Sequence, residues 1–522
     1  MKFETRYISC VSATFELSNK SIYFSETKYD VKVDGKIVLK DVNTNVFSIY
    51  NLEPNRDYVV SIDDYELKIH TLNVSLILHS KDFINESDKN DDTLALQTAI
   101  NCLPKNGLLV IDEGEYHITT LFLKSDITVE IKKGAYLLGN TDIKAYPLFP
   151  GEVSYYEKDE KQQLGAWEGN PSIARTSVIT AFYQENIHLV GEGVIDAQAD
   201  KSDFWKDVKK LTWARPRILY FLNCKNIMVQ GISVKNSPCW TIHPYFSSHI
   251  GFYDIKVSNP KDAPNTDGMD PEACDDVTIL GVYFSVGDDC IALKSGKMYI
   301  GQTYKKPCSN VLIRNCMMHE GHGAIVLGSE IGAGVKDIVV ERCYFDHTDR
   351  GLRIKTRRGR SKYSVVDGIH FKDIKMRNVL TPLVINMFYF CDPDGKTEYV
   401  WSKEKLPVDD RTPYLGSFVF ENIDCEDAEY ALGYFYGLPE QPIKSITIKN
   451  SSFSVKKDAS KGKPAMMSFI DDYSKLGFYF NNVENVVMDN VAAKGYEGEE
   501  VILNNVTSYK KIWVRHTCIL KR

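Results

Sequence analysis

The chain has no uninterrupted apolar run of the roughly 18 residues that a membrane helix needs, so no membrane partner is expected. Its first residues, MKFETRYISCVSATFEL, hold no apolar stretch of signal-peptide length, which points to a cytoplasmic protein. A basic excess is also missing. The 63 Lys and Arg stand against 70 Asp and Glu, a net charge of −7. That balance disfavours a nucleic-acid binder, which needs a basic face. There are 12 cysteines but no Cys-x-x-Cys pair, so neither a zinc site nor a redox motif is indicated and no metal or cofactor is expected. Without an export signal the thiols read as mostly free. What is present is ordinary for a globular protein: 43% hydrophobic and 25% charged residues argue against disorder. For 522 residues, a prior of roughly 150 per domain suggests three or four domains, or one large β architecture with a small extra module.

Residues 1–73 read as short alternating strands, such as Tyr29-Asp-Val-Lys-Val and Tyr58-Val-Val-Ser-Ile, with turn chemistry at Gly35 and Glu53-Pro-Asn-Arg-Asp. The pattern fits a small β-sandwich. It resembles a fibronectin type III module, including Leu52, Pro54 and Tyr58-Val-Val before a late strand. Residues 85–92 are polar and read as a linker. A helix over 92–103 follows, capped by Asp91 or Asp92, with Leu94, Leu96, Ala99, Ile100 and Leu103 as its apolar face and Pro104 as its stop. Long helical periodicity then disappears.

A repeat replaces it. Apolar residues at Ile227, Ile250, Val277, Val311, Ile338, Ile369, Phe418, Ile446 and Val486 are each followed two positions later by another apolar residue. Four positions later stand Gly231, Asp254, Gly281, Asn315, Arg342, Asp373, Asn422, Asn450 and Asn490. All but Arg342 are types that tolerate the left-handed backbone region. This is a strand, a one-residue corner and a second strand, repeated. A unit so short cannot bury its own apolar face, but stacked units bury a continuous core. The prediction is an all-β chain whose residues 74–522 form a right-handed parallel β-helix, with the helix capping its open end. Cys224, Cys274, Cys308, Cys316 and Cys343 fall at core positions of the coils.

Four clusters carry chemistry: Asn265-Thr-Asp267-Gly, Gly287-Asp288-Asp289-Cys, Gly321-His322-Gly323 and Arg353-Ile-Lys355. Asp288 lies eleven residues after Val277, and His322 eleven after Val311. They are therefore expected on adjacent coils, with Asp267 about one coil before Asp288, and Arg353 and Lys355 one coil beyond His322. Gly287 would supply the backbone freedom to turn both Asp288 and Asp289 outward. Three carboxylates in one site cannot all ionise, which provides a general acid beside a general base. A pair about 6.5–9.5 Å apart would hold a water for inverting glycoside hydrolysis. An Asp cluster leaves a Ca²⁺ site as the alternative.

With their surroundings (GDDCIALKSG, GHGAIVLGS, RIKT and NSPCWTIHP), these motifs resemble glycoside hydrolase family 28, the polygalacturonases, over residues 76–510. The resemblance implies a parallel β-helix and a galacturonate-containing oligo- or polysaccharide as the partner. It makes Asp288 the proton donor, Asp267 and Asp289 the activators of water, and His322 a support for the acid or the adjacent sugar. Arg353 and Lys355 would hold a substrate carboxylate, with Asn265 completing the Asn-Thr-Asp motif. Lys294 and the basic run Lys355, Arg357, Arg358, Arg360 and Lys362 are expected to create a positive field at the subsites. His243 and Trp240 are placed at a sugar subsite, with a packed Trp as the alternative. Long non-repeat stretches at 150–180 and 380–413 resemble exo-acting bacterial members. Rhamnogalacturonan and xylogalacturonan hydrolases, a Ca²⁺-dependent pectate lyase and a non-catalytic carbohydrate-binding β-helix are the competing readings.

Overall fold

The apolar-x-apolar-x-corner repeat becomes three faces of a parallel β-helix in the computed structural model, which describes residues 1–84, 91–154, 161–211 and 213–512. The nine template starts pair with one another in an unbroken register. Ile227 lies beside Ile250, Ile250 beside Val277, Val277 beside Val311, and so on through Ile338, Ile369, Phe418 and Ile446 to Val486. All nine corner residues have positive φ, from 48° at Asn450 to 80° at Gly231. Arg342 shares this geometry (φ 53°) although it carries a Cβ and a long side chain. Its guanidinium explains the choice, because it bonds Glu16 and the Asn19 carbonyl.

The stacked inner positions form one continuous core that runs from Leu109 to Val491. The five coil cysteines lie in it, buried and unpaired. The helix Thr93–Cys102 adds Leu96, Ala99 and Ile100 to the same core. Leu94 does not join them; it is 79% exposed. The helix start is held by Asp91, whose Oδ1 accepts from the Thr93 amide at 2.9 Å, while the Asp92 carboxylate accepts from the His117 amide across the coil. Of the expected linker, residues 85–90 lie outside the described residues.

At the N-terminus, strands Phe3–Ile8, Ala13–Leu17 and Val46–Ile49 form one antiparallel sheet. Strands Phe24–Val33, Lys36–Thr44, Asp57–Ile62 and Tyr65–His70 form a second. The two sheets share a core of Phe3, Phe15, Phe47, Val31, Val60 and Ile62, which makes a small β-sandwich. The sandwich is fastened to the solenoid by the buried Glu16 carboxylate. It accepts from Arg6 at 2.6 Å, Arg314 at 2.8 Å, Asn315 at 2.7 Å and Arg342 at 2.5 Å. Its contacts fall on the corner column of the solenoid, away from the four chemical clusters. Residues 77–79 already pair in parallel with the solenoid strand Gly107–Ile111.

Candidate active site

The strands Asp289–Leu293, Gly323–Gly328 and Arg350–Lys355 pair in sequence on one face of the solenoid. The His322 amide donates to the Asp288 carbonyl at 2.9 Å, so these two residues sit level on adjacent coils. Asp267 comes from the preceding coil, where Met269 bridges Ile291. It therefore stands level with Asp289, not Asp288, and the Gly268 amide donates to the Asp289 carbonyl at 2.9 Å. Two glycines make the stacking possible. A Cβ on Gly287 would lie 2.4 Å from the Ala263 carbonyl oxygen; space, rather than backbone freedom, is what requires glycine there. Gly321 has φ 139°, and a Cβ on it would meet the Asp288 carbonyl at 2.9 Å.

The three acids converge. One oxygen of each of Asp267, Asp288 and Asp289 lies within 4.8 Å of the others. This is closer than the spacing expected from the sequence for a pair with water between. Asp267 and Asp289 are buried at 4% and 1% exposure, whereas Asp288 is partly open to the cleft. Burial, with Asp270 as a further contributor, pushes the Asp267 carboxyl well above its usual range. Asp289 goes the other way. Burial alone would raise it, but Lys355 and Arg353 override that and hold it well below the usual range. Both Asp288 and Asp289 face the cleft, and the Asp289 amide donates to Asp288 Oδ1 at 3.0 Å. His322 Nδ1 lies 3.4 Å from Asp288 Oδ1. The hydrogen bond to Asp288 raises the His322 pKa above its ordinary value, against the lowering effect of burial.

The cations are arranged differently from expectation. Arg353 Nη1 donates to Asp289 Oδ1 at 3.1 Å, and Lys355 Nζ to Asp289 Oδ2 at 2.6 Å, so both already neutralise this acid. Lys294 is buried with its ammonium 3.0–3.5 Å from Asp270, Asp267 and Glu330, and 3.6 Å from the centre of the Trp240 ring. It is a counter-ion to three carboxylates rather than a source of free positive field. Arg357, Arg358 and Arg360 are buried too. Arg357 and Arg360 pair with Asp392, and Arg358 with Glu440; Lys362 alone is exposed, on Asp410. The expected positive field from this run is therefore absent, because acids from later loops fold over it. His243 is likewise corrected. Its ring is fully buried among Tyr220, Trp240 and Tyr245, with Nε2 3.0 Å from Glu272, and does not reach the cleft. Asn265 does line the cleft, held by Arg215, which donates to its Oδ1 at 2.7 Å.

Several cleft residues escaped the sequence reading. Glu330, just after the GHGAIVLGS motif, is buried and held down to about 2; burial opposes this, and Lys294, Lys297 and Lys355 override it. Asp270, three positions after Asp267 and readable from the sequence, lies fully buried beneath the cleft against Lys294. Glu168, Tyr389 and Met466 were not, because they arrive from insertions. The first insertion forms small antiparallel pairs, among them Leu148–Phe149 with Ala174–Arg175 and Ala166–Trp167 with Asn170–Pro171. Residues 155–160 within it lie outside the described residues. It lies over the face just before the acids, where Tyr220 donates to the Leu164 carbonyl and Arg217 to the Ala166 carbonyl. Trp167 stacks on Trp240 with ring centres 5.3 Å apart. On the far side, Asn386 donates to the Met466 carbonyl and Arg350 to the Pro464 carbonyl. The resulting cleft of about 170 Å³ takes Glu168 from the first insertion and Tyr389 and Met466 from the later ones.

The family model for glycosyl hydrolases family 28 matches residues 124–406. An endo-polygalacturonase of Pectobacterium carotovorum is 29% identical over 320 residues, 58% of this chain and 74% of its own length. An exo-poly-alpha-D-galacturonosidase of Dickeya chrysanthemi is 25% identical over 465 residues, 80% of this chain and 72% of its own length. Among solved structures, the family 28 exopolygalacturonase of Yersinia enterocolitica superposes with a TM-score of 0.72 at 18% identity, covering 98% of both chains.

Proposed function

The chain belongs to glycosyl hydrolases family 28, and from that membership we propose that it hydrolyses α-1,4-galacturonosidic bonds by single displacement, releasing units from the ends of oligogalacturonides. The convergence of three acids within 4.8 Å beside a raised histidine carries the proposal. Asp288 is the acid most open to the cleft. It delivers a proton to the leaving glycosidic oxygen, paired with His322, whose raised pKa keeps a proton beside it. Asp267 and Asp289 lie level on neighbouring strands and hold the attacking water between them. Asp289 keeps its charge throughout, and Asp267 takes up the proton of the water. The short spacing alone would also suit a covalent intermediate. Against that reading stands the engagement of both buried acids with Lys294, Arg353 and Lys355, which holds them back from the anomeric carbon. Proton magnetic resonance of the first product formed should show the β-anomer; a first-formed α-anomer rejects single displacement.

Arg353 and Lys355 keep further N–H donors beyond those on Asp289, and these suit a substrate carboxylate at the cleft floor. The segment 148–175 and the Tyr389 and Met466 segments, which border the cleft, support exo action, since insertions at the ends of a cleft obstruct a long chain. On long polygalacturonate, the expected early product is a short unit with little fall in viscosity. A mixture of mid-length oligomers at early times rejects the exo reading. Activity that needs Ca²⁺ and yields unsaturated, ultraviolet-absorbing ends would reject hydrolysis altogether.

A pH dependence follows. Asp267, raised above its ordinary value, must be ionised to accept a proton, so kcat/KM falls as pH drops through that raised pKa. The proton that His322 keeps beside Asp288 must be present, so the rate also falls as pH rises through the raised His322 value. The profile is a bell. His322→Gln should move the alkaline limb to lower pH, and an unmoved limb would remove His322 from the proton-holding pair.

A further inference from the structure

Around the corner from the cleft, on the neighbouring face of the solenoid, a second cluster is built by register. His319 in the strand Met317–Gly321 pairs with Asp346 in the strand Tyr344–Thr348. His347 follows Asp346, and in a regular strand it would point to the opposite face. It does not, because its backbone is left-handed (φ 57°), and its ring comes to the same carboxylate. His319 Nδ1 stands 3.2 Å from Asp346 Oδ2, and His347 Nδ1 stands 2.8 Å from Asp346 Oδ1. One donor atom from each of the three residues lies within 4.8 Å of the others.

We propose that His319, Asp346 and His347 form a binding site for a divalent transition metal such as Zn²⁺, independent of the hydrolytic cleft. Two imidazoles and one carboxylate are the donor types that zinc, nickel and copper prefer. Ligand atoms on a tetrahedral zinc stand ~3.3 Å apart, given bond lengths of about 2.0–2.1 Å; the two histidines stand 3.2 and 2.8 Å from the two Asp346 oxygens, and the three donors lie within 4.8 Å of one another. Small ring rotations bring the three donors to a common centre. The site is open, with the His319 and His347 side chains 37% and 53% exposed, so an ion has an entry path and water completes its shell. Strand pairing holds His319 and Asp346 rigidly on successive coils, so a bound ion would cross-link the two coils. None of the three residues takes part in the hydrolysis proposed above, so the two readings stand or fall separately.

Isothermal titration of the full chain with ZnCl₂, repeated with CoCl₂ under visible spectroscopy, tests the site. One equivalent should bind in the micromolar range, and Co²⁺ should give the intense absorption of a four-coordinate centre. Asp346→Asn and His319→Gln should each weaken binding at least tenfold and abolish the cobalt spectrum, while circular dichroism stays that of the parent. The metal should also raise the thermal midpoint of the parent and leave that of both variants unchanged. No binding to the parent, or binding that survives both substitutions, overturns the proposal.

Discussion

Asp288→Asn should lower kcat on oligogalacturonides by about 10²–10⁴-fold, the range set by losing a positioned general acid. Folding should be untouched. Asp288 is partly exposed, and asparagine preserves the oxygen that accepts the Asp289 amide. The site electrostatics make this test sharper than a simple loss of activity. Burial pushes the Asp267 carboxyl well above its usual range. A retained proton, however, does not identify the donor, because Asp267 is buried beside Asp270 and Lys294. Leaving-group chemistry separates the two. An aryl galacturonoside with a low-pKa leaving group needs no protonation of its departing oxygen. Asp288→Asn should therefore recover most of its activity on that substrate. Asp267→Asn, which removes acceptance of the water's proton, should be equally impaired on both. Recovery by Asp267→Asn instead would exchange the two roles.

Glu440→Gln should destabilise the protein by about 3–5 kcal/mol, the usual consequence of leaving one member of a buried ion pair uncompensated. Arg358 Nε and Nη2 donate to the two Glu440 oxygens at 2.5 and 2.9 Å, with both side chains 1% exposed. The other Arg358 donors reach the carbonyls of Tyr399, Ser402 and Glu404. The pair thus ties an insertion to the solenoid and backs the wall that carries Tyr389. The urea midpoint should fall, and proteolytic cleavage should appear around residues 399–404. A midpoint equal to that of the parent, with no new cleavage, would show that the carbonyls alone satisfy Arg358. Cleavage without any loss of hydrolysis would separate the wall from the catalytic floor.

These two cases also mark where sequence reading succeeds and fails. Asp288 was placed beside His322 by counting from Val277 and Val311. Every coil starts at the same phase, so equal offsets land side by side. The Arg357–Arg360 run was misread because its charges face acids that arrive from Asp392, Asp394 and Glu440. No local pattern encodes that meeting. His243 failed for the same reason: its burial depends on Trp240, Tyr220 and Tyr245 closing around it. Asp267 is level with Asp289 rather than Asp288 because the Pro260–Pro264 loop interrupts the count from Ile250, so only the bridges Met269–Ile291 and Glu272–Lys294 fix its register.

The sequence by itself determined the solenoid, its register and the identity of the acids. A strand-corner-strand repeat has a short period, and the left-handed corner selects its residues locally. Tertiary structure alone decided which charges remain free. Lys294, Arg353 and Lys355 are all engaged by carboxylates, Asp267 is raised while Asp289 is lowered, and insertions bring Glu168, Tyr389 and Met466 to the cleft. Charge state depends on burial and on the nearest opposite charge, and both are set by residues far apart in the chain that meet only when the coils are stacked and the loops have folded over them.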